Sequence, residues 1–168
     1  MTDSDATMAG AGTPIRVFFV CTHNSARSVM AEVLLRHKGG DAFEVHSAGT
    51  EPGVVRPLTL RVLQNGGFDT SGLRSKSVSE FFGQRFDYVI TVCDQARQTC
   101  PVFPGSGESL HWGYEDPSEA RGTQDEQLAV YRRVFTQIGN RIAQFVPIAM
   151  RSRTEARGAE TDNATVLR

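Results

Sequence analysis

Hydrophobic and polar positions follow two different periods along this chain. Nearly continuous apolar runs, rich in β-branched and aromatic residues, predict strands that are covered on both faces. These runs lie at 15–20, 43–46 and 87–92, with a shorter and weaker one at 109–112. Apolar residues that recur at steps of three and four predict helices with one buried face. The helical patterns lie at 28–37, 57–65 and 124–146, and Pro147 is expected to end the last of them.

The alternation of strands and helices predicts a single α/β domain. We expect a small central parallel sheet of about four strands with helices on both faces, over residues 14–147. Residues 1–13 are small, polar and glycine-rich, and residues 148–168 are mostly charged or small, so both segments are predicted to be flexible tails. Any ligand should bind at the carboxyl ends of the strands.

Composition and charge exclude several classes of function. The formal charge of the 168 residues is −1, which provides no basic field for nucleic acid. The sequence contains neither an apolar run long enough to cross a membrane nor a secretory signal, so a cytoplasmic location is expected. Three cysteines, an odd number, favour reactive thiols over a structural disulfide framework. Nothing in the sequence requires more than a monomer.

The candidate chemistry begins in the loop between the first strand and the first helix, Cys-Thr-His-Asn-Ser-Ala-Arg-Ser. Its backbone N–H groups and the positive end of the helix are suited to bind a tetrahedral oxyanion such as phosphate or arsenate. Arg27 adds a two-pronged donor. These positive groups are expected to stabilise a thiolate on Cys21, the predicted nucleophile, to which Ser28 is expected to donate its hydroxyl. The other predicted members of the loop are Thr22, His23, Asn24, Ser25 and Ala26.

A structural interpretation of this loop is also available. Cys21 would then be a small buried hydrophobic residue and Arg27 a solvated surface charge. The position of the loop between a buried strand and an amphipathic helix favours the functional interpretation, because an oxyanion site requires that setting.

Further segments agree with the loop in order and spacing. They are Met30-Ala31-Glu32, Ser47-Ala48-Gly49, Thr91-Val92-Cys93-Asp94, Cys100-Pro101, His111-Trp112-Gly113 and Asp116-Pro117. Together they resemble the low-molecular-weight tyrosine phosphatase family and, within it, the thioredoxin-coupled arsenate reductases. The resemblance covers roughly residues 15–146.

This resemblance implies a relay of three thiols. Cys21 would attack arsenate, Cys93 would attack Cys21 and release arsenite, and Cys100 would then form the final disulfide with Cys93. Thioredoxin would reduce that disulfide, although glutaredoxin or a low-molecular-weight thiol could serve instead. The polar segment 94–99 is predicted to be a movable segment, either a short helix or an unwound loop. By the same resemblance Asp116 donates a proton to the departing oxygen, while the plainer alternative is that it caps a turn before Pro117.

Two other activities remain open at this point: a tyrosine phosphatase, and a non-catalytic anion or redox sensor that retains the loop. Phosphatases of this fold usually carry a second cysteine just before the loop arginine, where this chain has Ala26. They also carry aromatic residues after the Asp-Pro pair, where this chain has Ser118-Glu119-Ala120. Both differences favour the reductase.

Two residues are predicted to support the loop. Ser47 resembles a residue that hydrogen-bonds to Asn24, although a serine at a strand end needs no such role. Some reductases of the family hold a potassium ion nearby, and Lys76 stands where a carboxylate would ligate it. We therefore expect the ammonium of Lys76 to replace the ion. No bound metal or cofactor is expected, since no Cys and His spacing matches a zinc site.

Overall fold

The computed structural model describes residues 12–166, which form a four-stranded parallel sheet and four α-helices. The strands are β1 (Ile15–Cys21), β2 (Phe43–Gly49), β3 (Tyr88–Thr91) and β4 (Glu108–His111). The helices are α1 (Arg27–Gly39), α2 (Pro57–Asn65), α3 (Asp94–Thr99) and α4 (Gln124–Val166), with 3₁₀ turns at Gly40–Ala42, Val78–Phe81 and Pro117–Glu119. The predicted α/β class is confirmed. Residues 1–11 of the predicted N-terminal tail lie outside the described residues.

The strand order β2-β1-β3-β4 places the predicted site at a switch point of the sheet. β1 pairs in parallel with β2 on one side and with β3 on the other. The chain therefore runs from β1 to β2 in one direction and then returns past β1 to β3 in the other. Such a switch opens a crevice at the carboxyl ends of the two central strands. Cys21 ends β1 and Cys93 follows β3 by two residues, so both cysteines lie at this crevice.

The two faces of the sheet are covered differently, because successive side chains of a strand point to opposite faces. Phe19 faces α4, where its ring packs against Trp112, which in turn packs against Phe145. Phe18 faces the other side, where it stacks on Phe86 at 4.6 Å within an aromatic cluster. α3 lies on this second face, as a right-handed crossover from β3 to β4 requires.

The expectation for the C-terminal region is wrong. We expected the last helix to end at Pro147 and residues 148–168 to be disordered. Instead, α4 contains Pro147 and continues to Val166, a length of 43 residues.

Tertiary packing carries α4 past the proline. Phe145 and Ala149, one turn apart on either side of Pro147, are both buried against the domain, so the helix keeps its contacts although one backbone hydrogen bond is lost. Arg153 then donates to a carboxylate oxygen of Asp87 at 2.6 Å and to the carbonyl of Thr13 at 3.1 Å. Beyond this contact the side chains are exposed up to residue 164. No helix within the described residues is long and apolar enough to cross a membrane.

Candidate active site

The loop from Cys21 to Ser28 turns its carbonyl groups away from the crevice. The carbonyl oxygens of five successive residues accept hydrogen bonds from two neighbouring segments. The pairs are Cys21 with the amide of Thr50 (3.1 Å), Thr22 with Glu51 (2.8 Å), His23 with Gly53 (3.0 Å), Ser25 with Arg56 (3.0 Å), and Asn24 with the hydroxyl of Ser75 (2.6 Å). In a planar trans peptide the N–H points opposite to the C=O. The five amides of residues 22–26 therefore point toward the interior of the loop.

Two features of the backbone make this loop geometry possible. Asn24 has a φ of 50°, in the left-handed region that asparagine tolerates better than most residues. Gly49, at the end of β2, lies directly under the loop, where a Cβ atom would be 2.5 Å from the carbonyl oxygen of Thr22. A larger residue at position 49 would displace the loop.

The side chain of Asn24 connects the loop to its surroundings. Its amide nitrogen donates to the hydroxyls of Ser28 at 2.8 Å and Ser47 at 2.9 Å, and its oxygen accepts from the backbone N–H of Lys76 at 2.9 Å. The contact predicted between Ser47 and Asn24 is therefore present. Since Ser28 accepts from Asn24, its own proton is free to be donated elsewhere.

A buried carboxylate for which no role was predicted lies behind this network. Glu32, on α1, is 1% exposed. It accepts from the hydroxyl of Ser47 at 2.9 Å, pairs with Arg36 at 2.9 Å and lies 3.6 Å from the ammonium of Lys76. A glutamate within the apolar run Val-Met-Ala-Glu-Val-Leu-Leu is the one signal that could have identified it.

Arg27 lies at the entrance of α1 with most of its guanidinium buried. One terminal nitrogen donates to the carbonyl of Tyr114 at 3.1 Å, and the other lies 3.3 Å from Asp116. Within the described residues its Nε is buried and has no hydrogen-bond partner. An unsatisfied buried donor of a charged group is costly, so this N–H is suited to an oxygen of a bound anion.

Asp116 caps a turn and also faces the crevice. One carboxylate oxygen accepts from the backbone N–H of Ser118 at 2.9 Å and from its hydroxyl at 2.7 Å, which caps the 3₁₀ turn that begins at Pro117. The other oxygen faces Arg27 and the crevice. The cap orients the carboxylate toward the place where a proton donor would be needed.

The thiols of Cys21 and Cys93 are hydrogen-bonded to each other at the base of the crevice. The sulfur of Cys93 also lies 3.3 Å from the hydroxyl of Thr22 and accepts from the backbone N–H of Ala96 at 3.4 Å. The hydrogen bond from Cys21, with those from Thr22 and Ala96, lowers the pKa of Cys93 to about 5.

The pKa of Cys21 moves the opposite way. The contact with Cys93 and burial raise it well above its usual value, although Arg27 acts to lower it. Our expectation of a free thiolate on Cys21 is therefore wrong for this arrangement. Two buried sulfurs in contact share one proton, because a second negative charge beside the first is unfavourable.

Cys100 is the predicted site residue that the structure does not bring to the crevice. It follows the last residue of α3, whereas Cys93 precedes the first. The seven residue steps from Cys93 to Cys100 span about 10 Å at 1.5 Å per residue. This distance is longer than the Cα separation of a disulfide. Burial raises the pKa of the Cys100 thiol to about 11.

Two conspicuous ring-bearing side chains have structural contacts. The ring of His23 is exposed and bonds to the carbonyl of Glu51 at 2.9 Å, so His23 contributes its backbone to the loop. Trp112 is 4% exposed and packs on Phe19 beneath α4. The described residues contain no cluster of His, Cys, Asp and Glu that would hold a metal ion.

Comparison with protein families assigns most of the chain to one known family. The model of the low molecular weight phosphotyrosine protein phosphatase family matches residues 16–156. The chain belongs to this family. The matched range contains β2, β3, β4, all of β1 except its first residue and most of α4, so all of the site residues described above lie within it.

Similar members of the low molecular weight phosphotyrosine protein phosphatase family are reductases by name. An arsenate reductase of Halalkalibacterium halodurans is 40% identical over 129 residues, which are 77% of this chain and 93% of that protein. A thioredoxin-dependent arsenate reductase of Corynebacterium glutamicum is 30% identical with a TM-score of 0.63, and the match covers 85% of this chain and 65% of that one. An arsenate reductase in a phosphate-binding state is 28% identical with a TM-score of 0.66, and the match covers 79% and 97% of the two chains.

Proposed function

We propose that this protein reduces arsenate to arsenite by a relay of Cys21, Cys93 and Cys100, and that thioredoxin regenerates the thiols. The observation that carries the proposal is the contact between two thiols at the base of an oxyanion loop, with a third thiol at the far end of a six-residue helix. A phosphatase needs only the first of these sulfurs. The arsenate reductases among the relatives support the choice of substrate, and the thioredoxin-dependent relative supports the choice of reductant.

Arsenate binds, in this account, to the amides of residues 22–26, to Arg27 and to the start of α1. α1 has no side-chain cap in the described chain, so the N–H groups of its first turn remain available to an anion. The unpartnered Nε of Arg27 supplies a further donor. A tetrahedral oxyanion satisfies all of these groups at once.

The first chemical step forms a bond between the sulfur of Cys21 and arsenic. One As–O bond breaks, and the oxygen leaves as water with a proton from Asp116. The proton of the Cys21 thiol passes to the thiolate of Cys93, with which it is already hydrogen-bonded. In this way Cys21 becomes a nucleophile although its resting pKa is high.

The second and third steps are thiol exchanges. Cys93 passes its proton to an oxygen of the arsenic group and attacks the sulfur of Cys21, so that an S–S bond forms, the S–As bond breaks and the electron pair stays on arsenic, which leaves as arsenite. Cys100 then attacks Cys93, and Cys21 departs as a thiolate. Because burial raises the pKa of Cys100, α3 must open before Cys100 can deprotonate. The dithiol of thioredoxin supplies two electrons and two protons to the Cys93–Cys100 disulfide.

Lys76 has a structural role in this proposal. Its ammonium lies 3.6 Å from the buried carboxylate of Glu32, which in turn holds Ser47 and, through it, Asn24. A fixed positive charge at this point supplies what a potassium ion supplies in some relatives, so we propose that Lys76 takes the place of the ion.

Arsenate-dependent oxidation of NADPH, in the presence of thioredoxin and thioredoxin reductase, tests the function. Activity should be lost in Cys21→Ser, Cys93→Ser and Cys100→Ser alike. Ser152→Ala is the folded control, because Ser152 is an exposed residue of α4 near the amino-terminal ends of the strands, at the opposite end of the sheet from the crevice. Fast hydrolysis of an aryl phosphate that depends only on Cys21 would replace the proposal with a phosphatase. Phosphate binding without either activity would replace it with an anion sensor.

A further inference from the structure

α3 has few contacts with the rest of the protein. Four of its first five residues have exposed side chains, and only Ala96 is buried. A helix of six residues is marginal in water without tertiary support. The few contacts that it makes therefore determine where its two flanking cysteines lie.

One of these contacts ties the first turn of α3 to the edge strand of the sheet. A carboxylate oxygen of Asp94, the first residue of α3, lies 3.0 Å from Nε2 of His111, the last residue of β4. The side chain of Asp94 is 90% exposed, whereas that of His111 is 20% exposed. The pair therefore links a short, exposed helix to a strand of the sheet.

The ring of His111 is held from its other side as well. Its Nδ1 lies 2.8 Å from the hydroxyl of Thr91 on β3. If Thr91 donates to Nδ1, the neutral ring carries its proton on Nε2 and donates it to Asp94, and the protonated ring donates from both nitrogens. Gly113 leaves room for the pair, because a Cβ atom there would lie 3.3 Å from Nε2 of His111.

The two ends of α3 have different surroundings. The Cys93 end is held by Asp94 and by the contacts of the Cys93 sulfur with Thr22 and Ala96. The Cys100 end borders a cavity of about 590 Å³ that is also lined by Arg97 and Val102. The relay needs this difference, because Cys93 must stay beside Cys21 while Cys100 travels to it.

We propose that Asp94 and His111 are positioning residues of the relay: their contact fixes the first turn of α3 and so holds Cys93 against Cys21 until the bond between the two sulfurs forms. The inference rests on the proposed relay and gives this pair a positioning role in the second step of that relay. Asp94 and His111 touch neither the anion nor the reacting sulfurs.

The test measures how readily the Cys21–Cys93 disulfide forms without arsenate. In a Cys100→Ser background, the reduced protein is equilibrated with mixtures of reduced and oxidised dithiothreitol, which removes two electrons and two protons from the pair, and is then quenched with acid and analysed by mass spectrometry. His111→Ala should lower the equilibrium constant for closure by roughly two- to fivefold, the scale of one largely solvent-exposed contact. His111→Gln, which keeps an N–H donor, should restore most of the loss.

Asp94 provides the second arm of the test. Asp94→Ala and Asp94→Asn both remove the charge at the start of α3, but asparagine keeps an oxygen that accepts from His111. Closure should fall in Asp94→Ala and much less in Asp94→Asn. The double variant Asp94→Ala with His111→Ala should fall no further than either single variant. Glu44→Ala, which removes a comparable carboxylate–histidine contact at 2.8 Å on β2, is the matched control and should leave closure unchanged.

Equal closure in Asp94→Ala and Asp94→Asn would overturn the proposal, as would a folded His111→Ala protein that closes like its parent. Because no arsenate is present, these results are independent of the substrate. If the unchanged protein does not reduce arsenate but the variants show the expected shifts in closure, the proposed function is wrong and the positioning of Cys93 still holds. Arsenate reduction without those shifts would remove the positioning role alone.

Discussion

The oxyanion loop and α3 hold neighbouring sulfurs in opposite ways. The loop from Cys21 to Ser28 is almost fully buried, and five of its carbonyls are bonded to other segments. α3 is a short helix with mostly exposed side chains. A site that stabilises a developing charge must be rigid before the reaction, whereas thiol exchange needs a segment that opens at low cost. The molecule therefore has a rigid loop on the Cys21 side of the Cys21–Cys93 contact and a loosely held helix on the Cys93 side.

Cys93 and Cys100, at the two ends of α3, also differ in the acidity of their thiols. The pKa of Cys93 lies near 5 because three donors surround its sulfur, while the pKa of Cys100 lies near 11 because it is buried without such donors. Cys93 is therefore ready to react where it stands, whereas Cys100 is inert until α3 opens. In the proposed relay, this order would prevent the final disulfide from forming before arsenate is bound and Cys93 is oxidised.

The largest expected effects are those of cysteine substitutions, and they differ according to the step that each cysteine performs. Cys21→Ser should lower the single-turnover rate of arsenite formation by roughly a thousandfold or more, since the nucleophile is lost. Cys100→Ser should release about one arsenite per protein chain and then stop, because the Cys21–Cys93 disulfide has no resolving thiol. Arsenite released per chain, measured after rapid quenching, distinguishes the two. Continued turnover of Cys100→Ser with thioredoxin would show that the third sulfur is dispensable.

A stability comparison tests whether the loop is the rigid region. Asn24→Ala should lower the free energy of unfolding by about 3 kcal/mol, because three buried hydrogen bonds are lost at about 1 kcal/mol each. Gln98→Ala, at an exposed position of α3, should stay within about 0.5 kcal/mol of the unchanged protein. Urea denaturation followed by fluorescence of Trp112 measures both. Similar losses in the two variants would contradict the contrast between the regions.

A thiolate titration tests the shared proton. The ultraviolet absorbance of thiolate in the reduced protein should rise by about one thiolate as pH increases through the pKa of Cys93, near 5. Cys21→Ala removes the hydrogen bond that contributes most to this low value, so the transition should move to higher pH. An unchanged transition in Cys21→Ala would mean that the two sulfurs do not share a proton.

The smallest expected effect concerns potassium. Replacement of sodium by potassium at constant ionic strength should change kcat/KM for arsenate by less than about twofold, because the ammonium of Lys76 already faces Glu32. Lys76→Met is the companion variant, since it leaves Glu32 without that charge. A strong stimulation of the unchanged protein by potassium would contradict the role given to Lys76.

Local patterns predicted the parts of the molecule that depend on short stretches of chain. The apolar run of β1, the periodicity of α1 and the polar loop between them predicted the position of Cys21 and Arg27, because a strand, a loop and a helix follow each other within residues 15–39. The parallel direction of the strands followed from the alternation of strands and helices.

Features that depend on tertiary distance were not predictable in this way. The burial of Glu32 beside Lys76 joins residues 44 positions apart, and the passage of α4 through Pro147 depends on packing against the domain. The pKa of Cys21 was predicted in the wrong direction, because its value depends on the contact with Cys93 and not on the loop alone. Long-range contacts of this kind leave no local pattern in the sequence.

The identity of the disulfide formed in one turnover tests the relay most directly. The reduced protein is mixed with arsenate in the absence of thioredoxin, quenched with acid, alkylated, digested and analysed by mass spectrometry. The account predicts a Cys93–Cys100 disulfide with Cys21 free in the unchanged protein, and a Cys21–Cys93 disulfide in Cys100→Ser. Three free thiols after arsenite has been released, or a disulfide between Cys21 and Cys100, would contradict it.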